Sequence, residues 1–158
     1  NYGEPYVAIV DNGTGMDANK IREALVYGSP SSMGDRNLGR FGLGMKTAST
    51  SQAGIVTVAS RMSSDAEFDI RQWNIPWLDN PEKNPEQRWF PLIPNLDYIP
   101  SELVDLLEDS TGTIVLWTDL SKMLPNIRDL NQGNITQALT ARTKRCRKHL
   151  ELVFHHIK

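Results

Sequence analysis

At 158 residues and ordinary globular composition, the chain is one domain's worth, long enough for a sizeable core. A formal net charge of −2 excludes general attraction to nucleic acid or to acidic membranes. The single cysteine, Cys146, excludes an intrachain disulfide framework and fits a reducing cytosol, so a cytoplasmic location is expected. No apolar stretch is long enough to cross a bilayer, and the N-terminus has no signal-peptide pattern.

In chain order, "YVAIV" (residues 6–10) is β-branched and apolar and predicts a strand buried on both faces. It enters almost at once after "NYGEP", without an initiator methionine, so the expectation is an N-terminally incomplete fragment. After the turn "DNGTGM", Asp17 is the predicted N-cap of a helix over 18–27, with Ile21, Ala24 and Leu25 as its apolar stripe. Gly28 suits the position after its end. A polar loop follows over 28–37, then a helix opening at the glycines of "GLGMKTASTSQA". Residues 54–61 and 67–75 read as consecutive strands joined by a short polar turn.

Residues 76–100 hold six of the nine prolines and predict a loop insertion, pinned to the body by Trp77, Trp89 and Phe90. Ser101 is expected to cap a short helix with Leu103, Leu106 and Leu107 inward. "GTIVLWTDL" (112–120) is the last clear strand. From about Thr136 a long helix carries Leu139, Cys146, Leu150, Val153 and Ile157 on one side, and could lead into a following domain. Helices do not alternate strictly with strands. That predicts an α+β, two-layer sandwich with a mixed, mostly antiparallel sheet and helices on one face, in a single domain over 1–158.

Two glycine clusters carry the chemistry. An ionised carboxylate only accepts hydrogen bonds, so Asp11, at the end of a strand, could take one from an exocyclic amine such as adenine N6. Gly13 permits unusual torsions, Gly15 removes a side chain that would block a ring on the main chain, and Met16 offers a soft wall. A calcium loop fits poorly, since "DNGTGM" has few oxygen side chains and no terminal glutamate. In the second cluster, Gly39, Gly42 and Gly44 let backbone N–H groups converge on an anion in front of a helix N-terminus. Lys46 could add a full charge and Thr47 a hydroxyl. The spacing matches neither a P-loop nor a dinucleotide fingerprint. Together the clusters describe adenine at one end and phosphates at the other, with the loop between them able to close as a lid.

"DNGTGM", "GRFGLGMKTAS" and "TGTIVLWTDL" resemble, in order and spacing, three signature boxes of the GHKL ATPases. That superfamily includes gyrase B, the ninety-kilodalton heat-shock chaperones, sensor histidine kinases, MutL proteins and MORC ATPases. The resemblance covers about residues 6–120, and the second box most resembles the MORC-like and MutL-like branches. It implies that Asp11 binds the adenine amine beside Gly15, and that Thr113 joins the same network with Gly112 allowing the approach. It also implies that the backbone of Gly39, Arg40, Phe41, Gly42, Leu43, Gly44 and Met45 wraps the phosphates, that Lys46 neutralises them, and that 28–44 is the ATP lid. ATP and Mg2+ are the implied cofactors, and a second copy joined by ATP-dependent dimerisation is the implied partner.

The family's first box, a helix bearing a general-base glutamate and a magnesium-binding asparagine, has no counterpart in the ten residues before Asp11. Glu4 lies beside Pro5 just before a strand and is not assigned that role, so the general base and the magnesium ligand are expected upstream of Asn1. "RTKRCRK" (142–148) reads as a solvated helix face, with DNA contact as the second reading. His155 and His156 are adjacent and point about 100° apart on a helix, which does not suit a shared metal. The expected function is an ATPase core whose nucleotide-driven lid closure switches a larger protein. The alternative is a nucleotide-sensing or partner-binding module without turnover.

Overall fold

In a computed structural model, residues 4–26, 44–124 and 132–154 are described. Strand β1 (Val7–Asp11) is followed by helices α1 (Ala18–Leu25) and α2 (Gly44–Gln52), then by the hairpin β2 (Ile55–Arg61) and β3 (Asp69–Asn74). A one-turn helix α3 (Ile75–Leu78), a 3-10 turn (Leu96–Tyr98) and a short helix α4 (Ser101–Asp105) lead to β4 (Gly112–Thr118), and a helix α5 (Gln132–Phe154) comes last. The chain divides into two compact units, Asn1–Met123 and Leu124–Lys158.

The strands form one sheet in the order β1-β4-β2-β3, and every pair is antiparallel. The fold is α+β as expected, but the sheet of described strands is wholly antiparallel rather than mixed. β4, the last strand in sequence, inserts between β1 and β2. It pairs Val10 with Ile114 on one side and Ala59 with the same Ile114 on the other.

Side-chain alternation gives the sheet two faces with different tasks. On one, Ala59, Ile70, Ile114 and Leu116 pack with Ile99, Leu103 and Leu107, and Ala8 and Val10 extend the cluster. The segment around α4 therefore covers this face. The opposite face takes α1, whose Ile21 and Leu25 are buried; the indole N–H of Trp73 donates to the Leu25 carbonyl at 3.0 Å. Full burial of side chains of this size contributes about 1.5–3 kcal/mol each. The expectation of helices on one face holds for α1, while α4 closes the other side, because both faces of β2 are apolar enough to need cover.

Local signals explain most of the boundaries. The Asp17 carboxylate accepts from the Lys20 N–H at 2.8 Å and starts α1 as an N-cap. The proline-rich insertion contains structure after all. Asn74 caps α3 by accepting from Trp77 N–H at 3.0 Å, Pro76 sits in its first turn, and Leu92 pairs with Gln72 on the outer edge of β3. Trp89 lies 6.0 Å from Trp73, and Phe90 meets Trp77 edge-on at 6.2 Å, yet Trp89 and Phe90 stay largely exposed. Ser101 is the first residue of α4 and gives no side-chain cap. Leu106 faces solvent, while Leu103 and Leu107 point inward as expected.

α5 begins four residues earlier than the sequence predicts, and residues 141–150 are exposed along it, Cys146, Leu150 and the basic run 142–148 included. The side chain of Val153 and all of His155, His156 and Ile157 lie outside the described residues. None of the described helices is long and apolar enough to cross a membrane.

One buried cation ties the α4 segment to the sheet. Arg61, at the end of β2, is only 9 % exposed and donates to the carbonyls of Ser110 (3.0 Å), Glu108 (2.5 Å) and Leu107, with its guanidinium 4.7 Å above the Phe68 ring. These carbonyls lie where α4 and the turn after it end; Leu107 also accepts from Ser110 N–H, and the fork of donors satisfies Glu108 and Ser110 with it. Replacement Arg61→Leu is expected to cost roughly 2–4 kcal/mol, because it removes the side-chain donor from the Glu108 and Ser110 carbonyls together. Arg88→Leu, which breaks only an exposed pair with Glu86, is expected to cost under ~1 kcal/mol. Urea unfolding of both variants measures the difference.

Candidate functional site

The turn after β1 is built by a carboxylate folding back on its own backbone. Asp11 Oδ1 accepts from Gly13 N–H at 2.9 Å, and a Cβ added at Gly13 would stand 2.8 Å from that oxygen. Glycine at 13 is what lets the carboxylate sit there. Gly15 adopts φ +69°, and a Cβ on it would lie 1.9 Å from the Arg61 carbonyl oxygen. The turn thus lies directly on the end of β2, closer than any side chain allows.

The neighbouring strand brings the second motif alongside. Asp11 is the register partner of Thr113 in β4, and Thr113 is in turn the partner of Ser60 in β2. By alternation the three side chains form a row on the face opposite the α4 core. Gly112, with φ +154°, would carry a Cβ 2.1 Å from the Asp11 carbonyl oxygen, so only glycine fits at that crossing. The Thr111 hydroxyl donates to the Gly13 carbonyl at 2.6 Å and fastens the far side of the turn.

At the β2 end of the row is Ser60, fully buried. Its Oγ accepts from Met16 N–H at 2.8 Å, lies 2.9 Å from Thr113 Oγ1, and donates to the Gly112 carbonyl at 2.8 Å. Thr113 itself is 7 % exposed, and Asp11 is exposed. The arrangement offers a ligand a carboxylate, a fixed hydroxyl and a side-chain-free stretch of backbone, which suits a planar heterocycle bearing an amine.

Asp11, Gly13, Gly15, Met16, Gly112 and Thr113, read separately from two motifs, are therefore brought together. Sequence reasoning missed Ser60 and Thr111. The usable signal for Ser60 was a hydroxyl inside the largely apolar strand "IVTVASR", where a buried polar group demands partners.

Of the second cluster, Gly39, Arg40, Phe41, Gly42 and Leu43 lie outside the described residues, as does the expected lid up to residue 43. Gly44, Met45, Lys46 and Thr47 form the first turn of α2. Gly44 is exposed, and a Cβ there would meet nothing within 4 Å. Lys46 is 2 % exposed and reaches inward; its Nζ donates to the Val26 carbonyl at the end of α1. Removal from water pushes its pKa below the ordinary lysine value. The described residues contain no group of three His, Cys, Asp or Glu side chains able to hold a metal ion, so no magnesium ligand is assigned among them.

The family of histidine kinase-, DNA gyrase B-, and HSP90-like ATPases matches residues 2–113, more than two-thirds of the chain. The chain belongs to this family. The match takes in both glycine clusters and ends on Thr113, the hydroxyl of the central row. It bears out the GHKL assignment drawn from the three motifs, and membership in a family of ATPase domains suggests ATP as the ligand. No curated protein matches the chain.

Glycine requirements separate the two clusters experimentally. Gly15→Ala and Gly112→Ala are each expected to destabilise the fold by more than ~2 kcal/mol, since both place a methyl group on backbone and hold it at positive φ. Gly44→Ala is expected to leave the thermal midpoint unchanged or slightly raised, being at an open helical position. Thermal unfolding of the three variants decides it.

Proposed function

We propose that this chain binds ATP, with its adenine on the row formed by Asp11 and Thr113. The observation that carries this reading is the register that sets those two side chains next to each other across β1 and β4, beside a turn held clear of side chains by Gly13 and Gly15. Asp11 accepts from the adenine amine, Thr113 joins through its hydroxyl, and Met16 lies against the ring. Residues 39–45 supply backbone N–H groups to the phosphates, and residues 28–44 close over them. That Gly44 has no packing need for glycine supports a role in close ligand approach. Mg2+ would accompany the triphosphate and offset its charge.

In the same reading Lys46 adds positive charge at the phosphate end. Its present bond to the Val26 carbonyl makes that a change of partner: the ammonium trades one backbone acceptor for a phosphate oxygen. Burial weakens its hold on the proton, and an incoming polyanion restores it.

ATP turnover and a nucleotide-driven switch in a larger protein, with a second copy as partner, complete the reading. The MORC-like or MutL-like branches are its nearest analogues, and DNA is a candidate partner of that larger machine. Non-hydrolysing nucleotide sensing is the second reading. A full-length sequence with an upstream helix carrying glutamate and asparagine four residues apart supports turnover.

Calorimetric titration tests the binding claim. Asp11→Asn retains an oxygen to accept from Gly13 N–H, so the turn and the melting temperature are expected to survive. The amide places a donor beside the adenine amine, and ATP affinity is expected to fall at least tenfold. Unchanged affinity removes Asp11 from the site. Lys46→Ala is expected to weaken ATP more than adenosine; equal losses make the lysine purely structural.

A further inference from the structure

We infer that Ser60, which belongs to neither glycine motif, is a positioning residue that sets the base selectivity of this site. The inference rests on the adenine reading above and deepens it. Three groups converge on one buried oxygen: the Met16 N–H from the turn after β1, the Gly112 carbonyl, and the Thr113 hydroxyl from β4. Two of them belong to the residues that would face the base.

Proton counting makes this more than packing. A serine hydroxyl has one proton and two lone pairs. The Met16 amide can only donate, so it occupies one lone pair. The Gly112 carbonyl can only accept, so it takes the single Ser60 proton, and Thr113 donates its own proton to the remaining lone pair. The direction of the Thr113 O–H is therefore dictated by Ser60 and not by free rotation. A hydroxyl with a fixed sense presents a defined donor or acceptor to the base. One free to turn suits a 6-amino or a 6-oxo purine equally well. Asp11, an acceptor only, already favours the amine; Ser60 makes Thr113 agree with it.

The same oxygen also fixes the height of the turn. Met16 N–H donates to it from the turn, and that bond holds the backbone where Gly15 lies against the Arg61 carbonyl. Selectivity by hydrogen bonds depends on the partner groups staying in place, so loss of Ser60 relaxes both the turn and the hydroxyl.

The test is the ratio of affinities for ATP and for inosine triphosphate, which differ in carrying an amine or an oxo group at position 6. Wild-type protein is expected to prefer ATP. In Ser60→Ala the ratio is expected to fall about tenfold, the scale of one hydrogen bond of fixed direction. Ser60→Thr keeps the hydroxyl and is expected to hold the ratio within about twofold. In a Thr113→Val background, which has no hydroxyl to orient, Ser60→Ala is expected to change the ratio little further. If Ser60→Ala does not fold, Ser60→Cys fills the same space with a weak donor and carries the same expectation. A ratio equal to wild type in the folded variant, even with both affinities lowered, makes Ser60 a structural residue and overturns the inference. Failure of wild-type protein to bind ATP overturns the adenine reading itself, a distinguishable result. Wild-type binding with no preference between the two nucleotides overturns the selectivity role alone.

Discussion

Everything functional here depends on β4 lying between β1 and β2. That placement puts Thr113 against Asp11 on one side and against Ser60 on the other, so three polar side chains from distant parts of the chain share one row. Sheet register leaves little choice in the matter. A slip of one residue would turn Ile114 to the polar row and Thr113 into the apolar cluster, exchanging a buried hydrophobic group for an unpartnered hydroxyl. The apolar face thereby enforces the geometry of the polar one.

Residues 60 and 61 show how one strand serves both. Ser60 gathers the turn and the threonine on one face, while Arg61 on the other gathers the carbonyls that end the α4 segment. Each is a buried polar group whose cost is offset by several partners, and each joins segments roughly fifty residues apart. Tyr6 adds a peripheral tie on the Arg61 side: its hydroxyl donates to Glu102 at 2.8 Å, and that bond raises the tyrosine pKa. A groove of about 500 Å³ lined by Phe68, Ile70, Ile93 and Leu96 opens on this side of the sheet, away from Asp11 and Thr113.

Glycine is used in two ways within a short stretch of sequence. Gly15 and Gly112 are required by the fold, because backbone from another strand occupies the space a side chain would need. At Gly44, in the first turn of α2, a side chain would meet none of the described residues within 4 Å. Buried Lys46 sits in that same turn, its charge spent on the last carbonyl of the described α1 region.

Sequence alone determined most of the local elements. β-branched runs gave β1, β2 and β4, Asp17 announced α1, and the motifs "DNGTGM" and "TGT" supplied Asp11 and Thr113. Local chemistry governs such features: caps, torsions and alternation are written within a few residues. It misjudged the Ser101 cap, the inward turn of Leu106 and the burial of β1 on both faces, since Ile9 is exposed; there the outcome depends on what packs alongside. Only the tertiary structure decided the all-antiparallel sheet, the hydroxyl of Ser60 beside Thr113 in the row, and the bond of Lys46 to Val26. Those depend on contacts between residues far apart in the chain, 102 positions for Asp11 and Thr113, and no spacing within the sequence encodes which distant strand closes the gap.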